Sequence, residues 1–196
     1  MMSHKKILAA AVAVVLGGAA LSAWAGTGNT TFNVTTTVVN DCTIGSSNIA
    51  FANYDPTTAT ALTATGAVTA KCTKGDSVSV ALNQGANPGT GSTAAVPIRQ
   101  MANGTNLLPY HIYIAATGTT EWGTGTIGTN EPAAQTAASV ATALSFTTYG
   151  SLPPGADVPA GAYSDSVIAT VTFCLFDSRG GGSSLQEARS HPFRGD

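Results

Sequence analysis

The sequence has very little charge. Lys, Arg, Asp and Glu together make up 9% of its 196 residues, against roughly 25% in an ordinary soluble domain. Between Gly26 and Phe173 the basic side chains are Lys71, Lys74 and Arg99. A surface without clustered Lys and Arg excludes nucleic acid as a partner. The exposed faces must be covered by Thr, Ser and Asn, which suits strands because Thr is stiff at χ1 and fits a pleated surface.

The chain has one long apolar run and lacks a second. His4-Lys5-Lys6 precedes an apolar stretch from Ile7 to about Leu21, and Ala23-Trp24-Ala25 follows. A basic start, a short apolar core and an A-x-A site are typical of a secretory signal peptide. The run is too short and too rich in Ala and Gly for a stable membrane anchor. We therefore expect residues 1–25 to be a signal peptide and the mature chain to have no stable membrane span.

Groups that carry chemistry are scarce. His4 belongs to the leader and His191 to the C-terminal tail, so His111 is the only histidine in the body of the chain. A metal site needs three or four ligands at suitable spacing, which one histidine does not supply. No serine stands in a nucleophile-elbow pattern, and the scattered acids form no evident pair. The sequence therefore predicts no enzyme, no metal site and no cofactor.

The sequence contains three cysteines, Cys42, Cys72 and Cys174. In an exported protein a disulfide is the default. Cys42 and Cys72 each stand at an end of a strand-like run, which predicts that they pair. Closing a loop of about 30 residues would stabilise the fold by roughly 3–4 kcal/mol in the chain-entropy model. Cys174 is then left over.

Alternation of apolar and polar residues predicts strands along most of the chain. The predicted strands are Phe32–Val39, Ile49–Phe51, Ala67–Cys72, Val78–Leu82, Pro97–Met101, Leu108–Ile114, a strand through Leu144 and Phe146, and Tyr163–Phe173. Two hairpins are predicted, one turning at Lys74-Gly75-Asp76 and one at Asn103-Gly104, where both residues tolerate positive φ. We expect loop and strand at 133–143. Short, evenly spaced strands are typical of a sandwich or barrel.

The tail at residues 174–196 has a different composition from the body. It carries dense charge and a Gly/Ser run at 180–184. Such a segment cannot bury enough apolar surface to offset its ordering entropy. We therefore expect one domain at 26–173 whose fold ends at the strand Val167–Phe173, and a tail that is disordered or weakly packed from about Asp177 onward.

The order of several short motifs resembles that of a known family. The motifs are the alternating strand before Cys42, Ile49-Ala50-Phe51 with Tyr54-Asp55, Cys72-Thr73-Lys74-Gly75, Arg99-Gln100-Met101, Tyr110-x-Ile112-Tyr113, Trp122-Gly123 and Gly161-x-Tyr163-x-Asp165. From Phe32 to Phe173 the chain resembles the spore coat protein U domain family, which includes subunits of archaic chaperone–usher pili. Members of that family end at or near the position of Phe173, so the tail departs from the pattern.

The resemblance implies an all-β fold, an incomplete immunoglobulin-like β-sandwich completed by donor-strand complementation. In such pilins a periplasmic chaperone first fills a groove left by a missing final strand, and an outer-membrane usher assembles the subunits. The N-terminal strand of the next copy, or of a related subunit, then replaces the chaperone. The donor strand would lie within residues 26–40, with Phe32, Val34, Thr36 and Val38 entering the groove. Val167, Ala169, Val171 and Phe173 would form the strand at the groove edge. The alternative is that Phe32–Val39 is an ordinary first strand of its own sheet.

The function implied by the resemblance is a structural subunit of a secreted surface fibre that supports adhesion or biofilm formation. Such a subunit passes through the periplasm and ends at the cell surface as part of a fimbrium. One alternative is a spore- or cell-coat protein of the same fold. Another is an exported carbohydrate-binding module, in which Trp122 and Tyr113 would stack on sugar.

Overall fold

A computed structural model describes residues 26–175 and 191–192, so the predicted signal peptide at 1–25 lies outside the described residues. The contacts divide the chain into two units, residues up to Thr37 and residues from Val38 onward. The strands of the described residues are β1 (Cys42–Ser47), β2 (Leu62–Cys72), β3 (Asp76–Leu82), β4 (Arg99–Asn103), β5 (Asn106–Tyr113), β6 (Gln135–Thr136), β7 (Leu144–Leu152), β8 (Ala169–Leu175) and β9 (His191–Pro192).

Two antiparallel sheets form the second unit. One sheet has the order β1-β2-β7-β5-β4, and the other has the order β6-β3-β8-β9. Gln135 of β6 donates its Nε2–H to the carbonyl of Ser145 on β7, at 2.9 Å. This hydrogen bond links the two sheets. The predicted all-β class, with two sheets, is confirmed.

The core lies between the sheets and follows the period of two that strands impose. Val78, Val80 and Leu82 of β3 are all buried. On β5 the alternate residues Leu108, Tyr110 and Ile112 are buried in the same way. The alternation in the sequence therefore identified the core-facing residues of both strands correctly.

The hairpin predicted at Asn103-Gly104 is confirmed, but the one at Lys74-Gly75-Asp76 is wrong. Asn103 pairs with Asn106, and Gly104 between them has a φ of 61°. By contrast, β2 pairs with β1 and β7, whereas β3 pairs with β6 and β8. The turn at 74–76 therefore crosses from one sheet to the other. Both flanking strands bury one face in the same core. A tight turn can connect two such strands whether they pair in one sheet or lie in different sheets.

Two other predicted strands are absent from the described residues. The structure has no strand between residues 26 and 41, where Phe32–Val39 was expected. The segment Ile49–Phe51 is also irregular, although the side chains of Ile49 and Phe51 pack against the core. In that short segment the alternation of apolar residues reflects burial of their side chains and not pairing with a neighbouring strand.

The last predicted strand is shorter at its start and longer at its end. β8 begins at Ala169 and continues through Cys174 to Leu175, so the expected strand at Tyr163–Phe173 is wrong for residues 163–168. Those residues run from β4 to β3: Ser164 bridges Ala102, and the amide of Ile168 donates to Oδ1 of Asn83. Side-chain and bridge contacts hold the segment extended without a ladder.

The expected tail is only partly described. Cys174 and Leu175 pair with Ser77 and Asp76 of β3, so the fold does not end at Phe173. His191–Pro192 forms β9 against β8. Residues 176–190 and 193–196 lie outside the described residues. The loop and strand expected at 133–143 are found there as β6 and irregular segments.

The predicted disulfide is confirmed. Cys42 and Cys72 are bonded and stand directly opposite each other in the β1–β2 register. Cys174 is exposed and free. No helix within the described part of the chain has the length and apolarity needed to cross a membrane.

Candidate strand-acceptor site

The N-terminal segment, defined as residues 26–41, presents large apolar side chains to solvent. Phe32 and Val34 are 83% and 84% exposed, and Val38 is 75% exposed. Thr36, between them in the same alternation, is also exposed. A run of exposed apolar residues at a period of two has the pattern of a strand that buries one face. The segment therefore has the chemistry of a strand but lies in none of the described sheets.

The outer edge of β8, the edge facing away from β3, is largely without a strand neighbour in the part of the chain that the structure describes. Every residue from Ala169 to Leu175 pairs with β3 on the inner side. On the outer edge, β9 pairs with Thr170 and Val171 only. Within the described residues, the remaining positions of the outer edge have no strand neighbour. β1 ends the other sheet.

The residues predicted for the groove edge lie on or just before β8. Val171 is fully buried, whereas Val167, Ala169 and Phe173 are partly buried against the core. Val167 precedes the strand, and the other three lie in it. The structure therefore places three of the four predicted edge residues in β8 and leaves part of the apolar surface of Ala169 and Phe173 exposed.

Buried polar contacts fix the approach to β8. Tyr110 donates its hydroxyl hydrogen to Asp165, with 2.6 Å between the oxygens. Asp165 also accepts from the amide of Ala86 and from the side chain of Asn87. Burial, reinforced by the hydrogen bond to Asp165, raises the pKa of Tyr110 above its usual value, so this hydroxyl stays a donor. Tyr110 and Asp165, which helped to carry the family resemblance, are structural braces.

A buried arginine, Arg99, stands directly opposite Tyr110 in the β4–β5 register and links loops and strands. The Arg99 guanidinium donates to the carbonyls of Asn83 and Trp122, at 2.5 and 2.6 Å, and lies 3.7 Å from Glu121. Burial lowers the pKa of Arg99, and the nearby acidic groups oppose that shift. His111 bonds to the same glutamate. The cluster braces β4, β5 and the adjoining loops.

The aromatic pair considered for sugar binding is unsuited to that role. Trp122 is fully buried and donates its Nε1–H to the carbonyl of Val80, at 3.0 Å. Tyr113 stacks on His111, with 5.4 Å between the ring centroids. Because one of the two rings is inside the core, the pair cannot form a stacking platform for sugar.

Asp76 is a buried acid that the sequence reading missed. It is fully buried, and neither carboxylate oxygen has a hydrogen-bond partner among the described residues. Burial raises its pKa. Asp76 alternates in phase with Val78 and Val80, which was the available signal for a core-facing position, and it stands opposite Leu175 at the end of β8. This position places a polar group at one end of the candidate site.

The described residues contain no group of three or more His, Cys, Asp or Glu side chains that could hold a metal ion. The candidate site within these residues is a strand edge, the outer edge of β8, which lacks most of one neighbour.

Comparisons with known proteins identify the family of the chain. The model of the Spore Coat Protein U domain matches residues 28–170. The chain is 36% identical over 178 residues to Protein U of Myxococcus xanthus, covering 83% of this chain and 97% of that protein. It is also similar to a chain in the CsuC–CsuE chaperone–tip adhesion subunit pre-assembly complex from the archaic chaperone–usher Csu pili of Acinetobacter baumannii. That similarity has a TM-score of 0.46 and 22% identity, over 69% of this chain and 40% of the other. The family model covers most of the chain, and the chain belongs to the Spore Coat Protein U domain family.

Proposed function

We propose that the protein is a structural subunit of a secreted surface fibre, in which the N-terminal segment of one copy adds as a strand to the outer edge of β8 in the next. One observation carries the proposal: the same chain has an exposed apolar segment in none of the described sheets and a β8 edge paired at only two positions. Each feature is a liability alone, because unpaired edges and exposed apolar runs promote aggregation. Together they form a complementary pair.

Strand addition accounts for both kinds of contact that such a joint needs. Backbone hydrogen bonds along β8 supply affinity, and alternate side chains fill pockets between the sheets. Phe32, Val34, Thr36 and Val38 are the donor residues, and Ala169, Val171 and Phe173 line the receiving edge. Val167 lies just before that edge strand.

The same edge needs a temporary occupant before assembly. The family resemblance suggests a periplasmic chaperone for that role and an outer-membrane usher for assembly. The chain would pass through the periplasm and reach the cell surface within a fimbrium. Support of adhesion or biofilm formation is the proposed role of the fibre.

A coat protein of the same fold is the second candidate. It is favoured by the 36% identity to Protein U over nearly the whole of that protein. Expression of the chain with and without a chaperone–usher operon separates the two candidates. A pilus subunit reaches the surface only with the operon, whereas a coat protein is deposited without it.

The donor role is tested by placing charge on the predicted donor face. The double variant Val34→Asp/Val38→Asp, called here the donor-blocked variant, should abolish fibres seen by electron microscopy and leave the thermal midpoint of the monomer unchanged. Each charge would enter an apolar pocket unpaired, which costs several kcal/mol. The matched control is Thr35→Asp/Thr37→Asp, with the same charge on the opposite phase of the segment. Fibres from the donor-blocked variant, or equal loss in both, would refute the assignment.

A further inference from the structure

The outer edge of β8 already has an occupant from the same chain. β9 pairs antiparallel with β8, with His191 opposite Val171 and Pro192 opposite Thr170. Val171 is fully buried and is the third of the seven residues of β8. The contact therefore falls within the edge that the proposed function assigns to an incoming strand.

One strand edge accepts one neighbour. Adjacent strands lie about 4.8 Å apart, and each backbone group on the shared edge has a single facing strand to bond with. An incoming strand that pairs with Thr170 and Val171 must therefore displace β9. Occupation by β9 and addition of a donor strand are mutually exclusive at these two positions.

The composition of β9 suits a cap that does not extend the sheet. Pro192 has no backbone N–H, so it cannot take part fully in a further ladder. Proline at a sheet edge is one of the means by which proteins prevent edge-to-edge association. A cap of two residues is also short enough to be displaced by a donor segment of eight or more.

We propose that the C-terminal tail caps the outer edge of β8 through His191–Pro192 and competes with the incoming donor strand for Thr170 and Val171. This inference rests on the proposed function, because it assumes that a donor strand uses the same edge. It assigns the tail a role: the tail protects the edge until a longer strand replaces it.

The test measures binding of one peptide to three versions of the donor-blocked variant. The probe is a fluorescently labelled synthetic peptide of residues 31–40. The three proteins are the full chain, the full chain with His191→Pro, and a chain truncated after Leu175, which keeps every β8 position paired with β3. Circular dichroism and the thermal midpoint establish that each is folded. We expect the truncated chain to bind the peptide about three- to tenfold more tightly than the full chain, because the fraction of open edge rises. His191→Pro, which removes one backbone donor from β9, should move affinity in the same direction.

Equal affinities for all three proteins would overturn the cap and leave the proposed function standing. No binding by any of them would contradict the proposed function, and the competition with it. If the truncated chain does not fold, the comparison of His191→Pro with the full chain decides. Equal affinity of these two proteins for the peptide would again overturn the cap.

Discussion

At the scale of single residues, Asp76 has an unfavourable environment for its charge. It is fully buried without a hydrogen-bond partner in the described part of the chain, and burial raises its pKa. The folded state therefore holds a proton that the unfolded state has already released. Stability should fall as pH rises from about 3.9, the ordinary aspartate value, through the raised folded value.

Asp76→Asn should remove this loss, so the unfolding free energy of the variant should fall less than that of the wild type as pH rises. Urea unfolding of both proteins between pH 3.5 and 7 measures this difference in pH dependence. Asp55→Asn is the control, because Thr57 hydrogen bonds lower the pKa of exposed Asp55 and the sign is opposite. Parallel pH profiles for the wild type and Asp76→Asn would contradict the assignment.

Arg99 is the second residue whose chemistry the sequence did not reveal. Arg99→Met keeps the length of the side chain but leaves the carbonyls of Asn83 and Trp122 without this donor and removes one of the partners of Glu121. We expect a loss of about 3–5 kcal/mol in unfolding free energy. The exposed Lys71→Met should change it by no more than about 0.5 kcal/mol. If Arg99→Met and Lys71→Met both change the unfolding free energy only slightly, the buried network contributes little to stability.

At the scale of elements, the disulfide ties β1 to β2 and closes a separation of 30 residues. The double variant Cys42→Ala/Cys72→Ala should lose roughly 3–4 kcal/mol of stability in denaturant. Cys174→Ser, at an exposed free cysteine, should leave stability nearly unchanged. If the double variant and Cys174→Ser are equally stable, the disulfide is not a main support of the fold.

The elements show where sequence reasoning succeeds. β3 and β5 were predictable because each buries one face, so the alternation is visible in the sequence. The crossing between sheets at 74–76 was not predictable, because turn residues specify that the chain reverses direction but not which strand the next one pairs with. The strand prediction failed at residues 163–168 for a related reason. Ser164, Asp165 and Ile168 bond to residues far away in the sequence, and these contacts hold the segment without a neighbouring strand.

At the scale of the whole molecule, the candidate site depends on information that lies far apart in the chain. Donor and edge residues were predicted from the family resemblance, and the structure places the edge residues on β8 or immediately before it. β9 was not predictable, because His191–Pro192 lies in a charged tail and pairs with residues about twenty positions earlier. The unpartnered carboxylate of Asp76 likewise depends on tertiary surroundings.

The central claim is that the N-terminal segment of one copy adds to the outer edge of β8 in another. Amide hydrogen exchange of the full-length donor-blocked variant, with and without the wild-type peptide of residues 31–40, tests it most directly. We expect the peptide to slow amide exchange in β8 at 169–175. Exchange in β4 at 99–103, at the opposite end of the sheet from β1, should stay unchanged. A peptide carrying Val34→Asp and Val38→Asp should protect neither. Slowed exchange at β4 with none at β8, or no effect of the wild-type peptide anywhere, would contradict the claim.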